Sequence, residues 1–220
     1  MDLNLTDRVV LVTGANRGIG RAIAEAAAAE GALVAVVGRD GAAGAETIAA
    51  LPADRAAWFS CNVTDQDQIG RMIEAVVARW GRLDAVVNNA GRFGGSPIAE
   101  LSGAALREGL DTKVVGAMQV VQAALQQLRR SDQARVLNIS GVTAQRVTPG
   151  VAVTAIANSG MVSLTAYLAR ELIEHRINVN CLIPGYTLTG AWQARAETAR
   201  SLGRAAELVR RLEQELGGEG

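Results

Sequence analysis

The chain has 220 residues, 49% of them apolar, enough for one domain around a single large core. Lys+Arg and Asp+Glu balance at 22 each and the pI is near 6.6, which excludes the charge footprint of a nucleic-acid binder or of a protein held on an anionic membrane. With one histidine in the chain, neither a Ser-His-Asp triad nor a histidine-rich metal site is expected.

The start, Met1-Asp2-Leu3-Asn4, lacks the basic and apolar regions of a signal peptide, and no apolar run reaches the roughly 18 residues of a membrane helix. A cytoplasmic protein is expected, with Cys61 and Cys181 as buried free thiols. Val9 to Val12 is a run of β-branched and aliphatic residues too short for a helix, and it ends at Thr13-Gly14-Ala15-Asn16-Arg17-Gly18-Ile19-Gly20. The Ala-rich stretch from Arg21 to Glu30 follows as a helix. Strand, glycine turn and helix together offer unpaired backbone N–H groups to a phosphate.

Leu33 to Val37 is a second strand, ending at Gly38-Arg39-Asp40, with a helix from Gly41 to about Leu51. Trp58 to Cys61 is a third strand candidate. Thr64 or Asp65 can cap a helix that runs to Trp80, with Ile69, Met72, Ile73, Val76, Val77 and Trp80 at helical spacing. Leu83 to Val87 is the fourth strand, before Asn88-Asn89-Ala90-Gly91. A long helix is expected over about Ala104 to Arg129, apolar on more than one face, so that it packs on a sheet and pairs with a second copy of the chain. Arg135 to Ser140 and Ile177 to Ile183 are strands five and six, flanking a helix from about Ala155 to Glu174, whose end carries His175 as a surface cap.

Strands that are apolar throughout and alternate with helices predict an α/β fold: a doubly wound parallel sheet of Rossmann type, in three layers. Residues 1–190 form this dinucleotide-binding domain, and 191–220 add an amphipathic helix of the same domain, with Leu202, Val209, Leu212 and Leu216 on one face. No β-branched run follows, so six strands are expected.

Thr13-Gly14-x-x-x-Gly18-x-Gly20, Asn88-Asn89-Ala90-Gly91 and Pro184-Gly185, in this order and spacing, resemble the short-chain dehydrogenase/reductase family from about Leu5 to Thr189. The resemblance implies a seventh strand, which is not expected here. It also implies a nicotinamide cofactor, with Gly14, Asn16, Arg17, Gly18, Ile19 and Gly20 at its pyrophosphate. Asn62 and Val63 then lie beside the adenine and Asn89, Ala90 and Gly91 under its ribose. Pro184, Gly185, Thr187 and Thr189 form the lip over the nicotinamide. An NAD site places a carboxylate at the end of strand two; here Gly38 stands there, followed by Arg39, with Arg17 nearby. Two guanidiniums favour a 2′-phosphate, so NADP(H) is expected over NAD(H).

The family's catalytic side does not carry over. Its Tyr position falls on Thr154, its Lys position on Asn158, its Ser position on Gly141 beside Ser140, and its Asn position on Lys113. A threonine hydroxyl is far too weak an acid for the tyrosine's role. Lys113 could stabilise charge or, if desolvated, act as a base, while Ser140, Thr143, Thr154, Asn158 and Tyr186 are polar groups able to orient a small-molecule substrate. Three readings follow: an enzyme of unconventional chemistry, such as cyclisation, isomerisation or elimination; a non-catalytic scaffold or partner subunit; or an ordinary NADPH-dependent carbonyl reductase.

Overall fold

A computed structural model of the chain describes residues 3–91, 94, 97–146, 149–185, 187 and 189–190. It divides into two units, Met1–Gly185 and Tyr186–Gly220. The expected helix over 194–216 and the missing seventh strand fall outside the described residues, as does Tyr186.

The first unit is a six-stranded parallel sheet of order β3-β2-β1-β4-β5-β6. Its strands are β1 Val9–Thr13, β2 Leu33–Gly38, β3 Ala56–Ser60, β4 Ala85–Asn88, β5 Arg135–Ile139 and β6 Asn178–Leu182. The third strand starts two residues before the expected Trp58 and excludes Cys61, because Ala56 and Ala57 pair with Val34 and Ala35. Its helices are α1 Gly18–Ala29, α2 Gly41–Ala49, α3 Gln66–Trp80, α4 Gly103–Leu110, α5 Gly116–Leu128 and α6 Ala152–Glu171.

Alternation along the buried strands sorts the core onto two faces. Val9, Leu11, Ala35 and Val37 pack with Ile69, Met72, Val76, Val120 and Ala124 of α3 and α5. Val10, Val12, Val34 and Val36 pack with Ala24, Ala27 and Ala28 of α1, whose small side chains bring that helix close to the sheet. Strand order reverses between β1 and β4, so their carboxyl ends open a crevice at the switch point.

Three expectations about the helices need correction. The long helix is not continuous: a π turn, Asp111–Val115, separates α4 from α5. Such a widened turn inserts one residue, which the apolar spacing does not register. And α6 does reach membrane-spanning length and apolarity, at 20 residues and mean hydropathy 1.3. Its Val153, Ala157, Met161, Thr165 and Leu168 are buried in the packed unit, as in a core helix. His175 caps no helix; it lies in the 3₁₀ turn Ile173–His175 with Nε2 2.6 Å from Arg129 Nη2.

Both cysteines are free. Cys61 is buried, which together with Asp65 pushes its thiol up to about 11, whereas Cys181 is half-buried rather than buried. Asp65, not Thr64, caps α3: its carboxylate accepts from Gln68 N at 3.0 Å and from Gln68 Nε2 at 2.7 Å. Asp65→Ala is expected to destabilise the fold through loss of this cap, read as a lower urea midpoint at unchanged m-value.

Candidate functional site

The site grows from Thr13, the last residue of β1. Its buried Oγ1 accepts from the backbone N–H groups of Asn89 and Ala90, both at 3.0 Å, and donates to Val87 O at 3.3 Å. One hydroxyl thus fixes the exit of β4 against the exit of β1. The Asn89 carboxamide returns the contact, donating to Thr13 O at 2.9 Å and Gly14 O at 3.1 Å. Asn89 therefore staples the glycine turn, a role that its sequence neighbours do not signal.

Gly14 and Gly18 have φ of +63° and +57°, left-handed values that glycine adopts without strain. Gly20 is glycine for room: a Cβ there would lie 2.3 Å from Asn89 Nδ2 and 2.4 Å from Gly14 O. Arg17 precedes α1 with extended backbone and caps it with no side-chain bond. The first-turn N–H groups of Gly18, Ile19 and Gly20 therefore receive no side-chain cap at the mouth of the crevice, where the helix end favours an anion. This cradle fits a phosphate.

At the end of β2 a carboxylate has no room. A Cβ on Gly38 would meet Asn16 Oδ1 and Trp58 Cη2, both at 2.9 Å. Asp40, the nearest acidic residue, accepts from Ala43 N at 3.2 Å and caps α2. Arg17 and Arg39 are exposed, and neither guanidinium has a partner among the described residues. Asn62 donates its N–H to Gln68 Oε1 at 2.9 Å and accepts from Thr64 N at 3.3 Å, while Val63 is buried beneath it.

The catalytic candidates divide into two groups. Ser140, Thr143, Thr154 and Asn158 meet where β5 exits against α6, and they spend their hydrogen bonds on the protein. Ser140 Oγ donates to Asn158 O at 2.9 Å, and Asn158 Nδ2 donates to Thr143 Oγ1 at 2.8 Å. Thr154 Oγ1 accepts from Gly94 N at 3.0 Å and donates to Gly94 O at 2.8 Å. Asn158 also fills the space beside Gly141, where a Cβ would sit 2.6 Å from its Nδ2.

Lys113 stands apart, on the π turn. Its Nζ lies 3.2 Å from where a Cβ of Gly91 would be. Burial pushes the ammonium down to about 8, with Cys181 opposing that shift. Below this layer, Asn88 Nδ2 donates to Asn138 Oδ1 and Asn138 Nδ2 to Thr165 Oγ1, each at 2.9 Å, which ties β4, β5 and α6 together. Pro184 accepts from Val142 N at 3.0 Å, and Gly185 is exposed. Thr187 and Thr189 belong to the second unit, Tyr186–Gly220.

Residues 8–200 match a family model described as short chain dehydrogenase. The chain is 37% identical over 183 residues to a 3-oxoacyl-(acyl-carrier-protein) reductase of Staphylococcus aureus, covering 81% of this chain and 74% of that one. It is 34% identical over 185 residues to a sorbitol dehydrogenase of Cereibacter sphaeroides, covering 83% and 72%. A solved short-chain dehydrogenase from Streptomyces avermitilis matches with a TM-score of 0.79 at 35% identity, over 84% of this chain and 68% of that one.

Proposed function

Since the chain belongs to the short-chain dehydrogenase family, we propose that it binds a nicotinamide dinucleotide, NADP(H) ahead of NAD(H), and acts on a small-molecule metabolite without the family's tyrosine–lysine proton relay. The observation that carries this reading is the state of the polar groups at the family's catalytic positions. Thr154 and Asn158 are buried and bonded to the protein, so neither offers a free acid. Lys113 is the one group there with a shifted ionisation.

Each residue has a distinct task. The N–H groups of Gly18, Ile19 and Gly20 hold the pyrophosphate, and Arg17 and Arg39 hold the 2′-phosphate by charge-assisted hydrogen bonds. Asn16 shapes the ribose end from below Gly38, and Asn62 with Val63 lines the adenine end. Ala90 and Gly91 lie under the adenine ribose, and Pro184 and Gly185 serve the nicotinamide half. When bound, the nicotinamide supplies hydride exchange. Ser140, Thr143, Thr154 and Asn158 shape and orient, and Lys113 presents charge or a lone pair to the substrate. Non-redox chemistry (cyclisation, isomerisation or elimination) suits a centre without a proton relay. Ordinary carbonyl reduction is the second reading, favoured by the reductase relative at 37% identity. Two free thiols support a reducing, cytoplasmic setting. Half-buried Leu106, Leu110, Val114 and Met118 support pairing of two copies through the α4–α5 helices.

The test is a titration with NADPH and NADH, followed by nicotinamide fluorescence and melting temperature. Binding is expected to be tighter for NADPH. Arg39→Ala should weaken NADPH about tenfold, the loss of one charge-assisted bond, and leave NADH unchanged. Equal loss for both would reject the 2′-phosphate role. Binding of neither nucleotide would leave the scaffold reading in place.

A further inference from the structure

Lys113 is the single lysine in a chain with 22 basic residues; every other cationic side chain of that count is arginine. The two differ in one chemical respect that matters here: an ammonium can lose its proton in a protein, whereas a guanidinium does not. A site that only had to hold an anion would be served at least as well by arginine, which binds carboxylate and phosphate through two parallel bonds.

The surroundings of Lys113 suit the neutral amine. Its side chain leaves the π turn half-buried and reaches the backbone of Gly91, at the exit of β4. Among the described residues it makes no hydrogen bond and no ion pair. Cys181, at the end of β6, is the one ionisable group among them whose charge reaches it. On the neighbouring α6, Asn158 and Thr154 are neutral and already bonded. Taking a charge out of water without a partner disfavours the charged form, and here it brings the amine to about 8.

We propose that Lys113 is a nucleophilic amine that condenses with the carbonyl carbon of an aldehyde or ketone substrate. The Nζ lone pair forms the new C–N bond while the carbonyl π electrons pass to oxygen, which takes a proton. The resulting carbinolamine loses water, carrying away both amine hydrogens of Lys113 and leaving a C=N bond; hydrolysis reverses every step. No oxidant or reductant is consumed. Protonated, this imine draws electrons from the adjacent C–H bond, which is the step that isomerisation or elimination needs. Hydride added to it would leave a secondary amine fixed on the chain, so turnover through the imine is non-redox. The inference rests on the reading of this centre as one without the family's relay.

A trapping experiment tests it. The full chain is incubated at pH 7 with propanal as probe and cyanoborohydride as trap, in buffer and in denaturing urea, and labelled sites are read by peptide mass spectrometry. The α-amino group is the only other primary amine and serves as internal reference. Lys113 is expected to label in the folded chain at a rate comparable to the α-amine, and roughly two-hundredfold more slowly in urea, where its pKa returns to about 10.4. No label on Lys113 in the folded chain, or labelling no faster than in urea, would overturn the proposal. An NADPH titration on the same sample separates the two readings. Binding with Lys113 unlabelled rejects the amine alone, whereas labelling without binding supports the amine and rejects the nucleotide.

Discussion

Gly20→Ala is expected to abolish dinucleotide binding and to lower folding stability by about 1–3 kcal/mol, the range for one methyl group forced into a full site. The contact distances, not the φ angle, decide this. The added Cβ would stand 2.3 Å from Asn89 Nδ2, 2.4 Å from Gly14 O and 2.9 Å from Gly14 C. A side chain could swing away, but two of these three atoms are backbone. They belong to the turn that sets the direction of the α1 N–H groups, so relief comes only by opening it. Opening the turn also breaks the bonds from Asn89 Nδ2 to Thr13 O and Gly14 O. Removing the side-chain clash alone, in the double variant Gly20→Ala/Asn89→Ala, should recover little, because the collision with Gly14 O remains. Urea unfolding and NADPH fluorescence on both variants read the two effects separately. Wild-type affinity in Gly20→Ala would mean that the turn does not hold the nucleotide.

What the sequence disclosed was local, and what it hid was contact between distant segments. The glycine turn is legible because strand, glycines and helix are contiguous, and most strands are legible because Val, Ile and Leu cluster at them. The start of β3 is not, since Ala56 becomes strand only by pairing with Val34, about twenty positions away in the chain. The π turn at Asp111–Val115 escapes for a different reason: one inserted residue rotates the apolar face without interrupting it. At the site, the candidate residues at the β5–α6 junction were identifiable by register. Their commitment to one another was not: Thr154 takes both polar atoms of Gly94, 60 positions away. Asn89 looks like a ribose contact in the linear chain. Only the folded chain brings its carboxamide to the carbonyls of Thr13 and Gly14, 76 and 75 positions before it.

Asp84→Ala is expected to cost about 3–5 kcal/mol, the range for removing one partner of a buried charge network. Asp84 is 1% exposed at the amino edge of the sheet, where β1, β4 and β5 begin. Its Oδ2 accepts from Val9 N at 2.9 Å and Arg82 Nε at 2.8 Å, and its Oδ1 from Arg82 Nη2 and Ser131 Oγ at 2.6 Å each. Its backbone accepts from Arg135 N, so one residue holds the starts of three strands in register. Without the carboxylate, Val9 N loses its acceptor in a buried place, while half-exposed Arg82 regains water; the cost therefore belongs near the lower end. Acid should erase the difference. Burial raises the Asp84 pKa, but the bonds from Arg82, Ser131 and Val9 more than reverse it, and the folded value lies below the ordinary one. A depressed carboxylate contributes its full stability above the unfolded pKa of about 3.9 and loses it as pH falls through the folded value. The gap between wild type and Asp84→Ala should stay level from pH 7 to about 5 and shrink below about 4. Asp132, which pairs with Arg8 beside this cluster, is mostly solvated and adds little to that slope. A gap that persists undiminished into acid would mean that shape, not charge, is what Asp84 supplies to the strand starts.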